Sequence, residues 1–581
     1  MNRISHFLIA ILIISIFGVN AQSQNPDWEN SAIFEKNQVK PHARLIPFST
    51  KLEAIKNDIS NNSNYQSLNG EWKFKWVETP EQVPENFWQP KFNSENWDNI
   101  IVPSNWQMEG FGYPKFRNIA LTFKSNPPFI PDDFNPTGCY LREFNLSRNW
   151  DDNEIFLRFE GIKSASYVWV NGKEVGYNQG GFEPAEYNIT PFLKKGGNTI
   201  AVKVLRYSDG SYLENQDMWR LSGIYRDVYI YATPKVHIQD YYVVTNLDQN
   251  YNNANLELEF EIQNKNNQVI SNYSIEVDVL DIKNNSVWNS TEKINNISIS
   301  ENSSKLIEFK KQIYSPRKWS AEKPNLYKLV FSLNDENGKI IESFSKRIGF
   351  REVELIDNVI CINGIPVKFN AVNSHMHHPD HGQAIPLETL KKDLVLMKQF
   401  NINAVRTSHY PPSPEYLDFA DELGVYVFDE TDDECHANTY LSENPEWEAM
   451  YADRATKMVY RDRNHPSVVI WSAGNEAGSG NNVKTVIETG KKIDPSRPLW
   501  MYGGNTFYIP FEDIIGPRYW IPLEVKNIAE NKILEIDDQR PSFMDEYIAA
   551  TGNGLGGLDD YWEIIYKYPR ISGGAIWDWI S

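Results

Sequence analysis

Apolar and polar residues alternate along short segments in the first half of the chain. The alternation has a period of two in residues 155–159 and 167–170, and turn signals such as Asn171-Gly172 separate the segments. This pattern is typical of half-buried strands joined by tight turns. It predicts an all-β sandwich of the jelly-roll type over residues 66–234. Residues 22–65 show no periodicity and are expected to be irregular.

A second series of alternating segments follows, separated by turns rich in asparagine. Residues 255–264 and 272–281 are clear examples. The alternation and the length of residues 235–349 favour an immunoglobulin-like β-sandwich. The segment contains no polar cluster suited to chemistry, and a spacer is therefore predicted.

From Val353 onward, short apolar runs alternate with helical segments. Leu387, Leu390, Leu394, Met397 and Phe400 would share one face of a helix. Strands alternating with helices predict a parallel (β/α)₈ TIM barrel over residues 350–581, with a doubly wound sheet as the alternative. The candidate strands are residues 367–375, 402–409, 425–431, 468–476, 499–504, 513–519, 542–547 and 573–579.

The first residues have the composition of an export signal. Arg3 supplies a positive charge, residues 7–19 are almost all apolar, and Val19-Asn20-Ala21 matches a small-x-small cleavage site. The apolar run is too short to span a bilayer comfortably. A cleaved signal peptide over residues 1–21 is therefore predicted, with an exported protein, periplasmic or secreted, that has no stable membrane insertion. A membrane anchor is the alternative.

Composition excludes one class of partner and hints at another. Lys and Arg number 57 against 77 Asp and Glu, so the net charge is -20, which argues against nucleic acid as a partner. The aromatic content is 13%, and aromatic faces suit the C–H faces of sugar rings. The cysteines, Cys139, Cys361 and Cys435, are odd in number and far apart, so they form no disulfide scaffold. A Cys139–Cys361 bridge stays open.

Several predicted barrel strands end in polar residues, at the edge where such barrels carry their active sites. Glu476 and Glu546 follow the fourth and seventh candidate strands, which face each other across a closed barrel. Two carboxylates in this position predict glycoside hydrolysis, in which one protonates the leaving oxygen and the other attacks the anomeric carbon or activates water. The polar strand ends are His375, His409, Glu430, Asn475, Glu476, Tyr519 and Glu546.

A second polar cluster follows the third candidate strand. Glu434 and His436, together with Glu476, would offer two carboxylates and an imidazole to a hard divalent ion such as Mg²⁺. The alternative is an ordinary surface loop, because the spacing of Glu434 and His436 is weak evidence by itself.

Longer motifs resemble the bacterial β-galactosidases of glycoside hydrolase family 2, from about Leu45 to Ser581. The resemblance implies a jelly-roll sugar-binding domain, an immunoglobulin-like domain and a TIM barrel. It also implies an exo-acting, retaining β-galactosidase that removes terminal β-D-galactosyl residues from oligosaccharides. The motifs are RYSDGSYLENQDMWRLSGIYRDV, NSHMHHPDHGQ, NAVRTSHYP, RDRNHPSVVIWS, WSAGNEAGSG and FMDEYIAATGNGLGGLDDYW.

The resemblance also implies roles for individual residues. Glu476 corresponds to the acid/base and Glu546 to the nucleophile. Tyr519 would donate a hydrogen bond to the nucleophile, and Arg406 would keep it ionised. The ligands implied for Mg²⁺ are Glu434, His436 and Glu476, and Asp209 is a candidate ligand for Na⁺. The residues implied for the sugar site are Asn105, Asp209, His375, His409, Asn475 and Trp577.

The chain also departs from the family pattern. Ala549 stands where these galactosidases often have a histidine associated with C6 of the sugar, and Ser374 and Met376 replace the usual arginine and glutamate. The chain stops at Ser581, directly after the eighth predicted strand, so the barrel is expected to lack its last helix. The alternatives are a family 2 β-glucuronidase or β-mannosidase, or a truncated, non-catalytic sugar-binding fragment. A homo-oligomer stays open.

Overall fold

Three successive domains make up the computed structural model, which describes residues 25–146, 150–504, 509–533, 538–552 and 554–579. A jelly-roll sandwich comes first, an immunoglobulin-like sandwich second and a TIM barrel third. The predicted signal peptide, residues 1–21, lies outside the described residues. None of the helices in the described ranges is long and apolar enough to cross a bilayer.

Antiparallel sheets pack face to face in the first domain, and their inner side chains share one apolar core. The strands of the larger described sheet are, in spatial order, Glu35–Lys36, Lys173–Asn178, Ala165–Val170, Gly197–Leu205, Thr137–Asn145, Gly70–Val77 and Asp98–Val102. Those of the smaller sheet are Ala185–Asn188, Glu154–Phe159, Val228–Thr233 and Tyr65–Ser67. Short ribbons pair Lys115–Arg117 with Met218–Arg220 and Ile162–Lys163 with Gly223–Ile224.

The N-terminal segment is more regular than its pattern predicts. Glu35–Lys36 joins the edge of the larger sheet, and Lys51–Lys56 forms a short helix against the second domain. Thr50 caps this helix by accepting a hydrogen bond from the backbone N–H of Glu53 at 3.2 Å. The helix is too short to produce a visible apolar periodicity in the sequence.

The second domain is a sandwich of antiparallel sheets, as the alternation predicts. The described strands of one sheet are Val236–Leu247, Ala254–Asn264 and Ser303–Ile313. Those of the other are Glu292–Ile299, Ile270–Leu280, Tyr327–Asn334 and Ile340–Ile348. Alternate side chains of strand Ala254–Asn264 are buried, which is the pattern of a strand with one face in the core.

The third domain opens with a short antiparallel sheet and continues as a nearly closed parallel barrel. The strands of the short sheet are Val353–Ile356, Val359–Ile362 and Ile365–Pro366. The described barrel strands are Phe369–Asn373 (first), Ala404–Arg406 (second), Tyr426–Glu430 (third), Val468–Asn475 (fourth), Trp500–Gly503 (fifth), Ser542–Tyr547 (seventh) and Ile571–Ile576 (eighth). This ring excludes the doubly wound sheet.

The sixth candidate strand, residues 513–519, forms only a short bridge. Asp513 donates its backbone N–H to Trp500 at 2.9 Å, and the carbonyl of Ile515 accepts from Phe543 at 3.0 Å. The segment is thus bonded to both neighbouring strands. Pro517 follows two residues later and cannot donate to a ladder, so regular pairing cannot continue.

Helices cover the outside of the barrel. Leu390, Leu394 and Met397 are buried as predicted, whereas Leu387 and Phe400 lie at the helix ends and are 51% and 68% exposed. Within the described residues no helix follows the eighth strand, and Cys139, Cys361 and Cys435 are all free and buried. The barrel helices are Leu387–Gln399, Pro414–Leu423, Glu448–Asp462, Asn481–Ile493, Pro522–Ala529 and Leu558–Lys567.

The jelly-roll domain is bonded directly to a loop at the mouth of the barrel. Glu434 donates its backbone N–H to Leu213 at 2.6 Å, and Asn215 donates to the carbonyl of Glu434 at 2.8 Å. The side-chain amide of Gln216 donates to the carbonyl of Asp432 at 2.8 Å. The position of the loop that carries Glu434 is therefore set by both domains.

Candidate active site

Glu476 and Glu546 lie at the same end of the barrel, within reach of one arginine. Arg518 contacts an oxygen of Glu476 at 3.1 Å through Nη1 and an oxygen of Glu546 at 3.3 Å through Nη2. Glu476 directly follows the fourth strand with a φ of +43°, a conformation that costs energy in a residue other than glycine. Its backbone N–H donates to Gly503 on the fifth strand at 2.6 Å. This turn places the carboxylate in the barrel mouth.

Glu546 is a buried carboxylate held by polar groups of other strands. Arg406 donates to it at 3.2 Å, and the hydroxyl of Tyr519 donates at 2.8 Å. Burial alone would raise the pKa of Glu546, but the charges of Arg518 and Arg406 outweigh it and hold the pKa below its ordinary value. This shift favours the ionised form of Glu546, which is the form that a nucleophile needs.

Glu476 has the opposite electrostatic balance. Burial raises the pKa of its carboxyl above the ordinary value; Arg518 opposes this shift and the negative charge of Glu546 adds to it. Two neighbouring carboxylic groups whose pKa values are displaced in opposite directions are suited to different roles, one as an acid and one as a nucleophile.

Arg406 is fully buried and is fixed by several acceptors. Glu430 accepts from it at 2.6 and 2.9 Å, and Asn373 accepts at 3.1 Å. Asn475 accepts from Arg406 at 3.0 Å and donates to Glu434 at 2.9 Å. The sequence marks Glu430 as a polar strand end, but its partners come from other strands and cannot be identified from its neighbours along the chain.

His375, His409 and Trp577 form an aromatic cluster beside Glu546. The rings of His409 and Trp577 are stacked, with centroids 5.2 Å apart and planes 7° apart. His375 meets Trp577 edge to face at 5.5 Å. Nε2 of His375 is buried and has no hydrogen-bond partner among the described residues. His409 Nε2 lies 3.8 Å from Glu546, so the cluster borders this carboxylate.

Asn105 and Asp209 lie in the jelly-roll domain and are buried. Asn105 accepts a hydrogen bond from the backbone N–H of Gln383 at 2.7 Å, which holds the loop after the first barrel strand. Asp209 accepts from Gln179 at 2.6 Å, and burial raises its pKa to about 7. No hydrogen bond in the described ranges joins Asn105 or Asp209 to Glu476 or Glu546, and the sodium assignment stays a prediction.

Arg518 and Asp217 face the site, although the sequence did not indicate either one. Arg518 also donates to Asp545, through Nε at 3.1 Å, and to Asn475 at 2.6 Å. Burial raises the pKa of Asp217 to about 6; Arg220 opposes the shift, and the charges of the two catalytic candidates, Glu476 and Glu546, add to it. Arg518 directly precedes the predicted site residue Tyr519, and this position in the sequence could have indicated it as a site residue.

Glu434, His436 and Glu476 converge as a set of potential metal ligands. One ligand atom of each lies within 4.8 Å of the others. Nε2 of His436 is 3.2 Å from Glu434 and contacts Glu476 directly. Oε2 of Glu434 is buried without a hydrogen-bond partner in the described part of the chain. Two carboxylates and an imidazole with an unsatisfied buried oxygen fit a divalent cation such as Mg²⁺.

Family comparisons cover most of the chain. The sugar binding domain of glycosyl hydrolases family 2 matches residues 65–234, a further family 2 domain matches residues 236–351, and the family 2 TIM barrel domain matches residues 353–581. These matches follow the three domains of the fold in the same order.

Two curated relatives are similar over nearly the whole chain. The beta-galactosidase of Priestia megaterium is 41% identical over 572 residues, which are 95% of this chain and 54% of the relative. The beta-galactosidase of Pseudoalteromonas haloplanktis is 41% identical over 570 residues, 96% of this chain and 54% of the relative. The chain therefore spans about half the length of these relatives.

Solved structures share the fold at low sequence identity. A β-glucuronidase of Bacteroides uniformis has a TM-score of 0.73 and 20% identity, covering 88% of this chain and 64% of that chain. A β-glucuronidase of Bifidobacterium dentium, complexed with coumarin-3-O-glucuronide, has a TM-score of 0.71 and 21% identity, covering 89% and 91%. Taken with the domain matches and the shared architecture, these comparisons establish that the chain belongs to family 2 of the glycosyl hydrolases.

Proposed function

We propose that this protein is a retaining exo-β-galactosidase that hydrolyses terminal β-D-galactosyl residues of oligosaccharides. The observation that carries the proposal is the placement of Glu476 and Glu546 around Arg518 in the barrel mouth. Paired carboxylates at this end of a barrel are the machinery of glycoside hydrolysis. The choice of galactose is supported by relatives that are named beta-galactosidases and are 41% identical.

In the first half of the reaction, Glu546 attacks the anomeric carbon while Glu476 protonates the departing glycosidic oxygen. A covalent glycosyl ester forms on Glu546, and the aglycone leaves as an alcohol. In the second half, Glu476 removes a proton from water, the water oxygen attacks the anomeric carbon, and Glu546 is released. Two inversions give net retention of the anomeric configuration.

The neighbours of Glu546 serve this chemistry. Arg406 and the hydroxyl of Tyr519 donate to its two oxygens, which keeps the attacking group ionised and fixes its direction. His375, His409 and Trp577 provide the aromatic floor on which the galactosyl ring rests. Asn475 is held between the arginines and Glu434, and the family resemblance assigns it a contact with a sugar hydroxyl.

Mg²⁺ is proposed as a cofactor held by Glu434, His436 and Glu476. A bound ion would supply a fixed positive charge beside the acid/base carboxylate. Asn475 supports the site from outside by donating to Glu434 at 2.9 Å, as partners of metal ligands commonly do.

Export to the periplasm or the medium is proposed from the signal-like residues 1–21. The test is expression of the full chain in a bacterial host, followed by fractionation and N-terminal sequencing. A mature protein that begins near Gln22 in the periplasm or medium supports export. An uncleaved chain in the membrane fraction contradicts it and favours an anchor.

The activity test uses the purified chain with nitrophenyl β-D-galactoside, β-D-glucuronide and β-D-mannoside. The proposal is supported if the galactoside has the highest kcat/KM of the three substrates. NMR should then show β-galactose as the first anomer released. A higher kcat/KM for the glucuronide or the mannoside would show that the substrate is that sugar and not galactose. A folded chain that binds galactose but hydrolyses none of the three would be a sugar-binding fragment. The double variant Glu476→Gln, Glu546→Gln is the matched inactive control.

A further inference from the structure

An exposed aromatic pair stands on the short ribbon of the jelly-roll domain. Trp219 is 46% exposed and Phe116 is 52% exposed, and the two residues face each other across paired strands. Their rings meet edge to face with centroids 5.6 Å apart. Met218 and Arg220, which point to the opposite side of the ribbon, are buried. The ribbon is therefore anchored by one face and presents the aromatic pair on the other.

The ribbon leads directly out of the candidate active site. Asn215 is bonded to the carbonyl of Glu434, and Trp219 lies four positions further along the chain. A fully extended chain of that length spans at most about 14 Å. The aromatic pair is therefore within the span of a short oligosaccharide whose terminal residue occupies the barrel mouth.

A polar group lies along the chain between Asn215 and the aromatic pair. Asp217 occupies the bend directly before the strand Met218–Arg220, two positions from Trp219. Asn118 donates to one oxygen of Asp217 at 2.7 Å. The other oxygen is buried and has no hydrogen-bond partner among the described residues. A sugar hydroxyl that donates to this oxygen would remove the free-energy cost of leaving it without a partner.

We propose that Trp219, Phe116 and Asp217 form a subsite for the pyranose units on the leaving-group side of the scissile bond. The ligand class is the aglycone part of a β-linked oligosaccharide, and the inference rests on the proposed hydrolase function. Exposed aromatic faces cover the apolar C–H face of a pyranose, while the free oxygen of Asp217 accepts from a hydroxyl at the ring edge. Large exposed apolar surfaces of this kind commonly mark binding sites.

The test compares two substrates in the unaltered chain and in Trp219→Ala. Methyl β-galactoside has an aglycone too small to reach the ribbon, whereas β-linked galactotriose extends over it. We expect kcat/KM for galactotriose to fall roughly tenfold in Trp219→Ala, as for the loss of one aromatic contact, with methyl β-galactoside unchanged. Phe116→Ala should act in the same direction. Tyr314→Ala, which removes a 75% exposed aromatic from the second domain, is the matched control.

Equal effects on both substrates, or no effect on either, would overturn the subsite. A change in sedimentation coefficient in Trp219→Ala, without a change in galactotriose kinetics, would instead assign the pair to a contact between copies and would also overturn it. If the unaltered chain hydrolyses neither substrate, the proposed function fails, and calorimetry with galactotriose decides the subsite separately. Binding that is weakened by Trp219→Ala supports it, and binding that is unaffected refutes it.

Discussion

Glu430 and Arg406 form a bidentate ion pair, with distances of 2.6 and 2.9 Å, in a place that solvent does not reach. The same carboxylate accepts from Nδ1 of His409 at 2.7 Å. Arg406 contacts Glu546, and His409 is stacked on Trp577. One buried side chain thus orients both the arginine that contacts the proposed nucleophile and part of the proposed sugar floor.

Glu430→Gln should lower kcat by roughly 10²-fold, because a displacement of Arg406 spoils the alignment of Glu546. The amide nitrogen of glutamine cannot accept from Arg406, and glutamine carries no negative charge. The positive charge of Arg406 then acts mainly on Glu546. That charge lowers the pKa of Glu546, so the acid limb of the kcat/KM profile should move to lower pH. The measurement is a pH–rate profile for a nitrophenyl galactoside.

A matched control for this variant is Ser472→Ala. Ser472 donates to Glu430 at 2.5 Å but does not touch Arg406. Removal of the Ser472 hydroxyl should leave the acid limb of the kcat/KM profile at the same pH. An unshifted acid limb in Glu430→Gln would contradict a positioning role, even if kcat fell.

Glu546→Gln keeps the shape of the side chain and removes the attacking charge. Activity should fall by several orders of magnitude, since the covalent intermediate can no longer form. Incubation of the unaltered chain with a 2-fluoro galactoside, followed by peptide mass spectrometry, should place the label on Glu546. A label on another carboxylate would assign the nucleophile elsewhere.

Chelation should lower activity, and added Mg²⁺ should restore it. Glu434→Gln removes one anionic ligand and should weaken Mg²⁺ binding measured by calorimetry, independently of any activity assay. Glu443→Gln, which changes an exposed acid at the end of the nearby 3-10 helix Thr439–Glu443, is the control. Equal Mg²⁺ affinity in the Glu434→Gln variant and the unaltered chain would show that the ion binds elsewhere.

Ala549 lies beside the sugar floor, because the backbone N–H of its neighbour Ala550 donates to the carbonyl of Trp577 at 2.6 Å. If C6 of the sugar lies beside Ala549, as the family resemblance implies, the small side chain gives it room and no donor. The unaltered chain should therefore discriminate weakly at C6, and Ala549→His should favour plain galactosides. The loss of one hydrogen bond is worth about 0.5–1.5 kcal/mol. Comparing kcat/KM for galactosides, 6-substituted galactosides and fucosides checks this, and equal ratios in both forms would exclude Ala549 as a determinant.

The burial of Glu342, which lies outside the candidate active site, predicts that the stability of the protein depends on pH. It is fully buried in the second domain and accepts from the backbone N–H of Ile238, and burial raises its pKa well above the ordinary value of 4.5. A folded pKa above the unfolded one gives stability that is complete below pH 4.5 and is lost as the pH rises towards the folded pKa.

Glu342→Gln should remove this loss and raise stability at alkaline pH by roughly 1–3 kcal/mol, the cost of an unsatisfied buried polar group. Thermal melts of both forms from about pH 5 to about pH 9 measure the difference. Glu308→Gln, an exposed acid on a strand of the same domain, should behave like the unaltered chain. The prediction is wrong if the stability difference between Glu342→Gln and the unaltered chain is the same at every pH.

The fold class and the carboxylate pair were predictable from local pattern. Glu476 and Glu546 each follow a short apolar run, and parallel barrel strands bring such ends to one mouth. Periodicity identified the buried face of Leu390, Leu394 and Met397. It could not show where the helix ends, which is why Leu387 and Phe400 are exposed.

Arg518 and Asp217 were not predictable in the same way. Arg518 lies in the segment that forms only a bridge. Its acidic partners are Glu476, directly after the fourth strand, and Glu546 in the seventh strand. Asp217 belongs to the jelly-roll domain and approaches the site only because two domains pack together. Contacts between distant segments depend on tertiary structure, which no local spacing encodes.

The backbone bonds between Leu213, Glu434 and Asn215 have a consequence for the modularity of the protein. The loop that carries Glu434 and His436 takes its hydrogen bonds from a domain that is synthesised earlier and folds as its own unit. The excised barrel would lack the partners that shape this loop. We therefore expect the candidate site to be complete only when both domains are in place, so that grafting the barrel into another protein would require the jelly-roll domain as well.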